Sequence, residues 1–400
     1  WPLSLPREQT QGQLWMWSGL GYSESQSGKR EENLERAIDL YERAAKAFTR
    51  EGNPAEWAWA QEALGSAYQN RIGGNRADNL EKSIAYFEAD LMVRTREAMP
   101  REWSVTKDNL GIVYAGRIHG DRAENLEKAI AAHEEALTVR TREAMPQEWG
   151  WTLHNLAGAY RDRIRGHRRD NQEKAIALYE AALSVRTREA VPQHWAMTQH
   201  GLAIVYGNRI QGDRGDNVEK SIEHLQADLS AYSPGGQPRE WADAQRNLGL
   251  AFGLRAAGER ADNAEKAIAA FERALTVLDQ ETFPHDWGQV KTAVALLYAY
   301  RIRGQRSDNL ETAILHLHDA LKVVTREAFP EAWAQAQINL GFAYQDRVVG
   351  RRTENLDEAT RLFEAALTVL ARETAPRLWA VARLSLGNAQ RDRAGGDPDA

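Results

Sequence analysis

The chain has 400 residues and a formal net charge of −6, with 42% hydrophobic and 27% charged residues; this is enough apolar content for a core, and the charge balance is too even for a phosphate-binding stripe. It contains no cysteine, which excludes disulfides, thiolate metal sites and a cysteine nucleophile. No apolar run approaches the roughly 18 to 20 residues of a membrane span and no charged-then-apolar leader opens the chain, so the expectation is a soluble, cytoplasmic protein without membrane insertion.

Internal repetition dominates the sequence. Trp57, Trp103, Trp149, Trp195, Trp241, Trp287, Trp333 and Trp379 follow one another at a constant 46 residues, each three positions after a proline, from Pro54 to Pro376. Glycines recur in the same register from Gly28 to Gly396, and asparagines from Asn33 to Asn355. The period divides residues 1–400 into a single array of units at 8–53, 54–99, 100–145, 146–191, 192–237, 238–283, 284–329 and 330–375, with a half unit at 376–400.

In chain order each unit reads as two helices. First helices are expected near 55–72, 101–118, 147–164, 193–210, 239–256, 285–302, 331–348 and 377–394. The stripe Trp149, Leu153, Leu156, Ala157 and Tyr160 shows the three-and-four spacing behind them. Each is expected to end on the serial glycine as a left-handed C′ residue. A second helix opens near each serial asparagine, with Asp170–Glu173 having the form of a capping box. Its stripe is Ala175, Ile176, Tyr179, Ala182 and Leu183, and Val185–Glu189 is expected to extend it. In one unit Tyr232–Pro238 replaces that extension with Ser-Pro-Gly-Gly, which predicts a second helix that stops early and a softer joint. No sheet is expected. In the last helix Leu384 and Leu386 keep an apolar face, which predicts cover by further chain or by another copy; Trp1 in first place likewise reads as a processed product or a piece of something longer.

Leu110-Gly111-Ile112-Val113-Tyr114 in a first helix and Ala267, Phe271 and Ala274 in a second resemble the tetratricopeptide repeat family, with a period longer than the usual one of about 34 residues. The resemblance implies an all-α superhelix of about eight and a half helical hairpins. Thr141–Trp149 and Tyr114–Asn125 are also similar to the long-period repeat arms of bacterial proteins that end in a caspase-like CHAT protease domain. Such a protease needs a Cys and His pair, so this chain would be the arm without the enzyme.

Residues recurring once per unit serve first to join units. The tryptophans are expected to pack between hairpins, the arginines Arg71 to Arg393 to complement helix ends and reach neighbouring carboxylates, and the asparagines to cap or tie loops. The resemblance places the first helices on an inner face, where the residue before the Leu-Gly pair is Asn109, Asn155, Asn247 or Asn339. An amide offers a donor and an acceptor to an extended peptide, and Trp59, Trp151, Met197, Ile112, Ile204, Leu250, Leu296 and Phe342 fall on neighbouring positions as apolar anchors. Packing between helices is the competing role for all twelve.

Nothing marks out catalysis, a cofactor or nucleic-acid binding. His154 and His200 are equivalent residues without a third metal ligand, and His316 and His318 point to different sides of one helix. The function expected is a non-enzymatic scaffold that binds a protein or peptide segment on the inner face. The alternatives are a solenoid that assembles with other copies of itself, and the sensor arm of a larger effector.

Overall fold

The computed structural model describes residues 7–25 and 27–395. Among them 17 helices alternate as A and B members of hairpins, and no strand occurs. The A helices are α1 (Arg7–Glu24), α3 (Pro54–Asn70), α5 (Pro100–Gly116), α7 (Pro146–Asp162), α9 (Pro192–Gly207), α11 (Pro238–Leu254), α13 (Pro284–Ala299), α15 (Pro330–Gln345) and α17 (Pro376–Gly395). The B helices are α2 (Arg30–Ala47), α4 (Arg76–Asp90), α6 (Arg122–Leu137), α8 (Arg168–Leu183), α10 (Arg214–Leu229), α12 (Arg260–Ala274), α14 (Arg306–Leu321) and α16 (Arg352–Leu367). They form two compact units, one running to Val205 and taking in Arg209–Gln211, the other comprising Tyr206–Asn208 and the residues from Gly212 onward.

Each repeating A helix begins on its proline, whose missing N–H falls where a helix leaves donors unsatisfied anyway. The first backbone bond is then made by the serial tryptophan, as from Trp103 N to the Met99 carbonyl at 2.9 Å. After α5 the chain leaves through an extended Arg117. The serial glycine lies further on and is left-handed as expected, with Gly120 at φ 81°, but it immediately precedes the B-helix cap Asp121 rather than following the A helix as C′. The extended Arg117 has already carried the chain off the A helix, so the reversal falls at the glycine. Gly396, last of the series, lies outside the described residues.

B helices start earlier than the sequence suggested. The cap of α8 is His167, so Asp170 already lies in the first turn and the expected capping box does not form. Where a short Asn or Asp stands at the cap it accepts a bond, Asn75 Oδ1 from Ala77 N at 2.8 Å and Asp121 Oδ1 from Glu124 N at 2.7 Å, while the longer Glu259 and Gln305 do not. The serial asparagines are buried one turn further on, where they tie the loop. Nδ2 of Asn79, Asn125, Asn171 and Asn309 donates at 2.8 or 2.9 Å to the carbonyl just before the left-handed glycine.

Three recurrent contacts hold each hairpin together and join it to the next. An aromatic ring of the B helix lies over a glycine of the A helix: a Cβ on Gly65 would come within 2.7 Å of Phe87, and one on Gly341 within 2.6 Å of Phe363. The serial tryptophans are half-buried, Trp57 packing on the core around Tyr41 and Leu64, and Trp333 and Trp379 on that around Ile338 and Phe363. The serial arginines reach back one unit and grip a B-helix carboxylate with two parallel bonds. Arg117 Nε and Nη2 each lie 2.7 Å from Glu81, and Arg347 holds Glu311 at the same distances. These pairs are partly exposed, so each contributes on the order of 1 kcal/mol or less; their bidentate geometry fixes the angle between units more than it adds stability.

The segment after each B helix is not helical. α8 ends at Leu183, and Thr187 opens a turn in which its Oγ1 accepts from Ala190 N at 3.2 Å and its carbonyl from Val191 N at 3.0 Å. Ser233 makes the same two bonds, to Gly236 N at 3.1 Å and Gln237 N at 3.0 Å, and α10 is as long as α8. The expectation of an early stop at Tyr232–Pro238 is therefore corrected: a turn is common to the units, and Ser-Pro-Gly-Gly supplies it with different residues. In α17, Leu386 is buried against α15 and α16 while Leu384 is exposed.

Ring-on-glycine packing gives a direct test. Gly65→Ala must displace the fully buried Phe87 ring and is expected to cost about 1–3 kcal/mol. Gly387→Ala meets nothing within 4 Å and should gain up to about 1 kcal/mol of helix propensity. Hydrogen exchange of the amides in α3–α4 and in α17 reads both; equal effects at the two sites would count against the packing argument.

Candidate functional site

Within each compact unit a B helix packs on the A helix of its own hairpin and on that of the next, as α4 does on α3 and α5 and α12 on α11 and α13, whereas successive A helices also approach each other, as α3 does α5 and α13 does α15. Among the described residues no B helix approaches another B helix. Within each compact unit the A helices therefore line the concave side. All twelve residues expected on the inner face belong to A helices.

In the first unit most of that set is occupied by packing. Asn109, Ile112 and Ile204 are half-buried, Trp59 is half-buried against the core, and Met197 is exposed. Trp151 stands between the His194 ring, at 5.0 Å, and the Arg186 guanidinium, at 5.3 Å. Asn155 Nδ2 is buried without a hydrogen-bond partner. His154 Nδ1 lies 3.2 Å from Thr198 Oγ1, and burial together with the charges of Arg186 and Arg161 holds its pKa well below the ordinary histidine range, so the ring is neutral at pH 7. No group of three metal-ligating side chains occurs among the described residues.

The second unit presents a different surface. Leu250 and Leu254 on α11 are 48% and 60% exposed, and Leu296 on α13 and Tyr300 at its C-cap are 45% and 56% exposed. Each pair is spaced by four residues and so stands on one helical face. Leu296, Tyr300, Asn339, Phe342 and Asp346 line one shallow recess. Phe342 is half-buried, its ring edge-on to Phe363 at 5.4 Å; Asn339 Oδ1 accepts from Gln335 Nε2 at 3.0 Å, and Asn247 lies one turn before Leu250. Toward the other end of α11 and α13 the face becomes ionic, Arg239 and Arg246 holding Asp286 at 2.7 and 3.0 Å. Leu254 and Tyr300 were missed by the sequence reading. Aligning the units would have found them, because the corresponding first-unit positions are Asn70, Gly116 and Asp162.

On α14, His316 stacks on Tyr298 while His318 Nε2 lies 3.3 Å from Tyr344 OH, the two rings turning to opposite neighbours as their spacing predicts.

Polar groups are buried where first-unit hairpins meet. Asp108, His133 and Arg140 form a sealed cluster, with His133 Nδ1 2.7 Å and Arg140 Nη1 2.9 Å from the carboxylate, and Thr152 Oγ1 2.7 Å from Arg140. Burial alone would raise the Asp108 pKa, but His133 and Arg140 outweigh it and hold it below the usual carboxylate range. One joint earlier, Asp90 is fully buried with Arg94 Nε at 3.2 Å and the Thr106 hydroxyl on its other oxygen. There burial wins and pushes the carboxyl up to about 6.

The hairpin array, the concave A-helix face and the absence of strands among the described residues define a helical-repeat solenoid of the tetratricopeptide type. More particularly, five stretches match the Sel1 repeat, at residues 18–47, 60–89, 153–184, 242–275 and 334–368. Among solved structures, the apo form of RapI is similar at 14% identity with a TM-score of 0.59, covering 98% of this chain and 99% of that one. A Rap protein complexed with Competence and Sporulation Factor is similar at 12% identity and TM-score 0.51, covering 97% and 98%. The APC/C hetero-tetramer Cut9–Hcn1 is similar at 14% identity and TM-score 0.51, covering 93% of this chain, which spans 62% of that one. At these identities the likeness establishes the fold. No curated protein matches the sequence. No helix among the described residues is long and apolar enough to cross a membrane.

The Asp90 site carries a pH signature. Its folded-state pKa is raised, so the protonated form is favoured in the fold and the contribution of this joint weakens as pH rises through about 6. Asp90→Asn is expected to flatten the pH dependence of hydrogen exchange in α4 and α5 between about pH 5 and 7. An unchanged slope would show that Asp90 is ionised throughout.

Proposed function

We propose that the chain is a binding scaffold that holds a segment of another protein against the concave A-helix face, with the main apolar anchor site in the second unit. The observation that supports this is the set Leu250, Leu254, Leu296 and Tyr300, four large apolar side chains about half exposed on two adjacent helices. Core packing explains buried side chains, and scattered apolar residues need no explanation, but a cluster on a concave face is what a partner covers. Asn247 and Asn339 stand beside the cluster and supply the polar groups that fix a peptide's register. The Rap protein complexed with Competence and Sporulation Factor is a solenoid of similar fold seen with a bound partner, which favours this use of the surface.

Selection of displayed random peptides against the whole chain, followed by affinity measurement, tests the reading. Leu250→Asp combined with Leu296→Asp is expected to weaken selected peptides by more than about tenfold, or about 1.4 kcal/mol, while leaving the melting temperature within about 2 °C because both side chains are exposed. Leu315→Asp, equally exposed but on a B helix, should change nothing. Asn339→Ala should weaken binding by a smaller factor, about 2- to 10-fold for one hydrogen bond. Peptides indifferent to the Leu250 and Leu296 changes would place binding elsewhere.

A further inference from the structure

The first unit carries an aromatic corner in which the core-packed Trp59 meets an exposed tryptophan of the preceding hairpin. Trp17 on α1 is 62% exposed and packs edge-on against Trp59 of α3, with ring centroids 5.3 Å apart and planes at 68°. At several other half-buried tryptophans the protein supplies its own cation, Lys107 standing 5.7 Å from Trp103, Lys291 5.0 Å from Trp287 and Arg372 5.9 Å from Trp379. The serial Trp57, Trp149, Trp241 and Trp333 have none among the described residues, but each is a single half-buried ring. Among the described residues, no cation stands over Trp17 or Trp59.

Glu62 lies three residues after Trp59 and shares its helical face. It is half-buried and its Oε1 accepts only from Ser66 Oγ, at 3.3 Å. Among the described residues it has no basic side chain at ion-pair distance; the nearest cation, Arg94, is taken by Asp90. Burial raises the Glu62 pKa, against the pull of Arg94 and Ser66. The repeat supplies its own comparison. At the equivalent place one unit on, Asp108 is satisfied by His133 and Arg140. α3 contains two glutamates and no lysine or arginine, and Arg7 is the one basic residue of α1. The surface thus combines two π faces without cations and a carboxylate with no ion pair at contact distance, and a cationic group complements both.

We propose that Trp17, Trp59 and Glu62 form a subsite for the guanidinium or ammonium group of a basic side chain in the segment bound along α1 and α3. This rests on the scaffold reading and adds a chemical requirement to it: the bound segment carries an arginine or lysine that reaches the first unit.

Fluorine NMR of the full chain labelled with 5-fluorotryptophan tests it. The probes are acetyl-Ala-Ala-Arg-Ala-Ala-amide, its lysine counterpart, and the citrulline counterpart that keeps the shape of arginine without its charge. The Trp17 and Trp59 resonances, assigned with Trp17→Phe and Trp59→Phe, are expected to shift with millimolar arginine or lysine peptide and not with citrulline. Glu62→Gln should weaken the effect about three- to tenfold, and Trp17→Leu should abolish the response at Trp59 while the melting curve is unchanged, Trp17 being exposed. Equal shifts with citrulline, or none with either basic peptide, overturn the subsite. The second-unit cluster is judged separately by the Leu250 and Leu296 variants, so loss of the subsite with retention of that binding leaves the scaffold reading standing.

Discussion

A two-helix hairpin cannot bury both of its apolar faces on its own. Within each compact unit a B helix such as α4 or α12 is covered on one side by its own A helix and on the other by the A helix of the next hairpin, so the burial that stabilises one hairpin is supplied in part by its neighbour. The recurring residues follow from that dependence. Phe87 needs the bare backbone of Gly65 to close its own hairpin, Trp57 packs on the core shared with the preceding hairpin around Tyr41, and Arg71 holds Glu35 at 2.7 and 2.8 Å to set the angle between hairpins. Each of these contacts is modest in energy. Their repetition at one register makes the array regular.

Because the same positions recur, each unit is a reference for the others. Where the backbone demands a particular residue the series hardly varies, as at the left-handed glycines and the loop-tying asparagines. Where a side chain only has to be accommodated, its chemistry changes along the chain. The residue just past the B helix is a buried arginine in Arg94, Arg140 and Arg186, and becomes Leu278, Val324 and Leu370 later. The joints at Arg94, Arg140 and Arg186 are consequently built on charge and hydrogen bonding, and those at Phe48, Leu278, Val324 and Leu370 on apolar contact. A joint with Asp108, His133 and Arg140 sealed inside depends on every partner being present, since removing one strands a buried charge. A leucine joint tolerates change more gradually.

The concave face follows the same logic in reverse. Its residues are under no obligation to pack, so departures from the repeat there carry functional meaning. Tyr300 and Leu254 stand where the first unit has small or polar residues, and Trp17 has Ala63 as its counterpart. Most ionic groups on the concave side are already paired, as Arg239 and Arg246 are with Asp286, which removes them as free determinants of partner charge. Glu62 lacks such a pairing while its equivalent Asp108 has two, which distinguishes it within the repeat series.

The 46-residue period, the prolines and the three-and-four apolar spacing determined the helices by themselves, and each repeating A helix starts on the residue the sequence marked, because these signals are local properties of one chain segment. The sequence also placed the twelve concave-face candidates on the right helices. It misassigned the glycine series and the capping box, since both readings took the nearest helix end as the reference and the actual B-helix start is set by Asn79-type ties to a loop carbonyl six residues back. It could not separate Trp151, enclosed by His194 and Arg186, from Leu296, open to solvent, although both sit on A helices with the same spacing. Periodicity fixes which face of a helix a residue is on. Whether that face is covered depends on side chains contributed by helices dozens of residues away, and only the tertiary structure decides it.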